Sequence, residues 1–191
     1  MGTFIAGLVV FLGIHSLAIV APGLRDRLAA RLGEGPWKGL YALVSIAGFW
    51  LIISGWSEAR AASDVLWLAP TWTKHLSATL LLPVFPLLLA AYLPGRIAAA
   101  ARHPMLLATI LWAAAHLITT LYTAKLILFG AFLVWAVADW ASQAHRRPRA
   151  IPRLPASGVN DVIVVVAGLA LYAGFAFWAH AAWIGVAPFG R

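Results

Sequence analysis

The chain has 191 residues, 63% of them hydrophobic and only 10% charged, which is far more apolar surface than a soluble domain of this size can bury. Its formal charge of +8 invites a nucleic-acid reading, but the Lys and Arg residues fall between apolar runs, where they set membrane topology instead. Cysteine is absent, which excludes disulfides, thiolate metal sites and cysteine nucleophiles.

A bilayer core of about 30 Å needs about 20 apolar residues in one helix. The first run, from Met1 to Leu24, contains no ionised residue, and no basic residue precedes Arg25, so it reads as a retained helix and not as a cleaved signal. Pro22 to Pro36 follows as a short amphipathic stretch. The second run, Gly39 to Ser57, and the third, His75 to Gly95, are again uncharged, and Pro83 and Pro86 are expected to kink the third. The fourth, His103 to Ala124, opens on Pro104, whose missing N–H costs nothing in a first turn. The fifth, about Leu126 to Gln143, carries Asp139 near its far end, and a basic linker from His145 to Pro155 leads into the sixth, Val162 to Gly190. Neither glutamate falls within these runs. The expectation is an all-α integral membrane protein, a bundle of about six transmembrane helices forming a single domain over residues 1–191.

Alternate loops carry most of the cations: Arg25, Arg27, Arg31 and Lys38, then Arg96 and Arg102, then Arg146, Arg147, Arg149 and Arg153. The other side carries Arg60, Lys74, Lys125 and Arg191. The positive-inside tendency therefore puts the first, third and fifth loops in the cytoplasm and both termini on the outer, periplasmic side. Trp37, Trp56, Trp67, Trp72, Trp140 and Trp183 lie near run ends, the depth at which an indole keeps its ring in the apolar layer and its N–H in the headgroups.

Ionisable side chains inside a bilayer are expensive, so each is weighed as a functional candidate against a packing role. His15 and His116 have apolar neighbours on both sides. A neutral imidazole there satisfies a donor and an acceptor nitrogen either by hydrogen bonds to a neighbouring helix or by ligating a metal or haem. Two such histidines on different helices raise the ligand reading, and Ala113, Ala114 and Ala115 would admit a flat ring or equally a close helix. A depth difference of about 9 Å between them, at about 1.5 Å per residue, speaks against direct bis-ligation. His75 is closer in depth to His116 and is the substitute partner. Arg102 or His103 with Asp139 reads as a structural ion pair at the inner surface. His180, flanked by Trp178 and Trp183, reads as interfacial. No GxSxG, Walker, HExxH or GxGxxG element stands in a supporting context.

The run KHLSATLLLPVFPLLLAAYLPGRI, the following RHPML, ILWAAAHL and LFGAFLVWAVADW, with the HS at His15, resemble the NnrU family over most of the chain. That resemblance implies a bacterial inner-membrane protein linked to denitrification and nitric oxide metabolism. It is also similar to plant zeta-carotene isomerase, a membrane enzyme with haem b, whose axial histidines match His15 and His116 and whose alternative cysteine ligand matches Ala113. What this implies is haem b held by His15 and His116, with His75 near the site, for redox or isomerase-type chemistry. Its partners would be the lipid bilayer and a nitric oxide reductase or another membrane redox protein, with no nucleic acid. A cofactor-free accessory protein of nitric oxide reductase is the alternative. A fainter similarity runs to the isoprenylcysteine methyltransferases, matched at Arg102, His103 and Pro104 but not at Leu106 or Ala108.

Overall fold

The computed structural model describes residues 1–145 and 153–189; Arg146, Arg147, Arg149 and Arg191, on which part of the orientation reading rests, lie outside the described residues. The described residues are predominantly helical and form two compact units, one from Met1–Trp67 with the segment from Leu121 through α8, the other from Leu68–Thr120 with the C-terminal segment.

The first unit contains α1 (Gly2–Val20), α2 (Pro22–Leu32), α3 (Glu34–Ala61), strand β1 (Val65–Trp67), strand β2 (Leu121–Tyr122) and α8 (Thr123–Gln143). α1 lies against α3 so closely that a Cβ on Gly7 would meet the Ile52 backbone N at 2.5 Å. On α3, a Cβ on Gly48 would meet Phe11 N at 2.7 Å, and one on Gly55 would meet Phe4 N at 2.5 Å. Membrane helices gain little from the hydrophobic effect against each other, so such backbone-to-backbone packing supplies the attraction. Phe4, Leu8, Ile52, Ala59 and Ala124 form the buried core, which α8 joins. The amphipathic stretch is helical as α2, which turns into α3 at Gly33, where φ is +87°. Arg25 ties the two together through Glu34 at 3.8 Å and a position 5.8 Å over the Trp37 ring.

α3 is longer than the uncharged run predicts. Its 28 residues enclose Glu34 in the first turn and Glu58 in the last, because acid at a helix start is favoured by the dipole and both ends reach the headgroup depth. Both glutamates thus lie outside the uncharged run Gly39 to Ser57, in the terminal turns of the helix that contains it.

The second unit contains α4 (Trp72–Leu81), α5 (Val84–Ala90), α6 (Arg96–Ala101), α7 (Pro104–Leu117) and α9 (Gly158–Gly174), which runs on through a π turn (Phe175–Ala179) into α10 (His180–Ile184). The break between α4 and α5 falls at Leu82 and Pro83, as the prolines predict. Pro86 is buried against α9, where a Cβ on Gly168 would meet its ring and nitrogen at 2.5–2.6 Å. Val84, Leu87 and Ala108 form the core between α5 and α7. Asp161 in the first turn of α9 accepts from the backbone N–H groups of Arg96 and Ile97, both at 2.9 Å, and Asn160 donates to the carbonyls of Pro94 and Pro155 at 2.8 and 3.0 Å. The N-terminus of α6 is thereby capped by a residue 65 positions away.

Among the described residues, five helical segments are long and apolar enough to cross a membrane: Gly2–Val20, Glu34–Ala61, Trp72–Ala90, Thr123–Ser142 and Gly158–Ile184. The fourth run is helical only over Pro104–Leu117, 14 residues, or about 21 Å. It ends early because the Thr119 hydroxyl donates to the His116 carbonyl at 2.9 Å, an alternative to the helical ladder. Leu121–Tyr122 then pairs antiparallel with Val65–Trp67, a small ribbon that an all-α expectation does not contain. The Ser63 hydroxyl accepts from Ala124 N at 2.9 Å and so begins α8.

Candidate functional site

In the first unit, His15 sits on α1 and its Nδ1 donates to the Phe11 carbonyl, 2.6 Å away on the preceding turn. A carbonyl can only accept, so Nδ1 carries the proton and the lone pair is on Nε2. Three aromatic rings enclose the imidazole: Phe11 stacked at 4.2 Å, Tyr41 at 5.1 Å and Trp135 edge-on at 5.8 Å. The Trp135 Nε1–H is buried and has no hydrogen-bond partner among the described residues. Asp139, one turn further along α8, acts electrostatically on both His15 and Tyr41. Its carboxylate accepts from Ser142 and Gln143 at 3.4 Å each. The sequence pairs Asp139 with Arg102 or His103, and its spacing gives no sign of His15, which lies on another helix of this unit.

In the second unit, His116 occupies the last turn of α7 and repeats the same device: Nδ1 donates to the Trp112 carbonyl at 2.7 Å, leaving the lone pair on Nε2. Trp112 itself is tilted 5.6 Å away. The ring facing His116 from α10 is His180, at 6.5 Å between centroids with planes 16° apart. His180 is half-buried: its Nδ1 donates to the Val186 carbonyl at 2.7 Å, and Phe175 packs edge-on against it at 5.6 Å.

The remaining candidates belong to the second unit. His75 stands in the first turn of α4, exposed, with its carbonyl accepting from the Thr79 hydroxyl at 3.0 Å. Arg102 has φ +57° and ψ −52°, a strained conformation for a residue with a Cβ, and the His103 N–H turns back to Ala101 O at 2.6 Å. His103 is the residue before Pro104 at the start of α7. Among the described residues, no cluster of three or more His, Asp or Glu side chains is placed to hold a metal ion by itself.

No curated protein and no solved structure matches the chain. Residues 3–188 match the family model described as NnrU protein, nearly the whole chain. With its five apolar helices and that match, the chain belongs to the NnrU family, multi-pass membrane proteins related to nitric oxide reductase expression.

Proposed function

We propose that this protein resides in the bacterial inner membrane, binds one haem b through histidine imidazole, and serves redox or isomerase-type chemistry linked to nitric oxide. The observation that carries the reading is the preparation of the imidazoles. His15 and His116, the two positions that match the haem ligands of zeta-carotene isomerase, each donate Nδ1–H to the carbonyl four residues earlier. That bond orients the ring, selects the tautomer with an Nε2 lone pair and raises its basicity, which is how ligating histidines are held. A neutral nitrogen donor suits haem iron, and with no cysteine in the chain a thiolate ligand is ruled out.

Bound haem would supply a one-electron couple and, when an axial position opens, a place for a small ligand. The chain's own part is to present an imidazole Nε2 and to keep water from it: Tyr41 and Trp135 line His15 in the first unit, and Trp112 stands beside His116 in the second.

The test is an absorption spectrum of the detergent-purified protein, oxidised and reduced, after expression with adequate haem supply, beside a His116→Ala variant. A Soret band with sharpened reduced bands, lost in a variant that still elutes as a folded protein, is the expected result. A folded, colourless protein that takes up no added hemin overturns the reading and leaves an accessory protein without a cofactor.

A further inference from the structure

We infer that α2 is a binding site for an anionic phospholipid, whose headgroup phosphate is held by Arg27 and Arg31; this stands apart from the haem reading. The position of the helix comes first. Phe4 lies against Gly55 and Phe11 against Gly48, so α1 and α3 are antiparallel, in a register that brings Val20, the last residue of α1, level with about Gly39. Gly39 is also where the uncharged run of α3 begins. From there α2 leads to Gly33, which stands about 8 Å further out along α3, at about 1.5 Å per residue. A helix of 11 residues is about 16 Å long, so one that gains about 8 Å in height lies closer to the membrane plane than to its normal. α2 is therefore an interfacial helix at the depth of the headgroups.

Its faces differ. Ala29 is buried and Arg25 reaches Glu34 and Trp37, which marks the side turned to the protein. Leu24, Arg27, Leu28 and Arg31 recur at i, i+3, i+4 and i+7 and so share another face. On it Leu24, Arg27 and Arg31 are exposed and Leu28 is half-buried. The acids at this corner have other partners: Arg25 stands 3.2 Å from Asp26 and 3.8 Å from Glu34, and Lys38 stands 3.6 Å from Glu34. Arg27 and Arg31 have neither an ion pair nor a hydrogen bond among the described residues. Two guanidinium groups one helical turn apart are spaced to share the oxygens of one phosphate, the anion that their planar forks fit. The leucines beside them enter the acyl layer, from which the arginine stems extend up to the headgroups. A phosphate carried on an apolar chain satisfies both halves of this face, whereas a soluble anion leaves Leu24 in water.

The experiment titrates the whole protein, purified in an uncharged detergent, with phosphatidylglycerol and separately with phosphatidylcholine, whose phosphate is balanced by its own ammonium, and counts bound lipid by native mass spectrometry. Inorganic phosphate is added as a competitor. The expected result is that wild type binds its first phosphatidylglycerol more tightly than phosphatidylcholine, and that Arg27→Gln and Arg31→Gln each weaken this binding by about fivefold, as the loss of one surface cation does. Leu24→Ser is expected to weaken it as well, and Arg60→Gln, in the last turn of α3, to leave it unchanged. Equal affinity of wild type for the two lipids overturns the inference. So does phosphatidylglycerol affinity that is unchanged when both arginines are replaced in a protein that still elutes as folded, and so does displacement of the lipid by inorganic phosphate.

Discussion

Gly7, Gly48 and Gly55 show how little room single positions leave in this protein. Each faces backbone atoms of the opposing helix at distances that no Cβ tolerates, so a side chain there must push α1 and α3 apart. Gly7→Val or Gly55→Leu is expected to cost about 1–3 kcal/mol through overpacking. The check is the temperature at which detergent-solubilised protein loses its monodisperse elution peak; an unchanged temperature would mean that the two helices are not held at this contact. Gly13, which meets nothing within 4 Å, supplies the control, and Gly13→Ala is expected to leave that temperature unchanged. Asp161 is a different case. It is only partly buried, yet its two oxygens receive the first N–H groups of α6, and Asp161→Asn replaces one acceptor with a donor that faces another donor. The expected outcome is earlier proteolysis in the first turn of α6 with little change in overall folding, read by limited trypsin digestion after Arg96.

Among the elements, the helices that the apolar runs predict differ from the observed ones mainly where a partner intervenes. α4 and α5 break where Pro83 removes a donor, a local effect of one residue type and therefore legible in the chain. α7 stops at Leu117, where the Thr119 hydroxyl takes the His116 carbonyl, and the chain then enters Leu121–Tyr122, whose partner Val65–Trp67 no periodicity in residues 103–124 encodes. The π turn before His180 has the same character. A helical register carried unbroken from Gly158 places His180 about 100° from where the widened turn puts it, while its interfacial reading rests on the flanking Trp178 and Trp183. Val65 and Tyr122 are opposite each other in the ribbon, and substituting proline at Tyr122 removes an N–H and its freedom of φ at the entry to α8. That variant is expected to lower the yield of folded protein, as measured by the monodisperse fraction after purification.

At the scale of the whole molecule, the number of spans decides the sidedness. Five crossings put the termini on opposite faces; counting the 14-residue α7, whose length of about 21 Å is short for a core of about 30 Å, as a sixth puts them on one face. The distribution of Lys and Arg argues for six, with both termini outside. Fusions of a periplasm-dependent phosphatase to either end are expected to be active, and a cytoplasm-dependent fluorescent protein at either end dark. Activity at one end alone reduces the count to five. Composition, the length of the apolar runs, the prolines and the placement of cations settle that this chain is a multi-pass membrane protein and which residues are ionisable at depth, because transfer free energy and helix geometry act on each segment separately. Which imidazole faces which, that Asp139 acts on His15, and that His180 turns toward His116 are decided only by tertiary structure, since they depend on a widened turn, a distant strand pair and backbones packed on glycine that no single segment specifies.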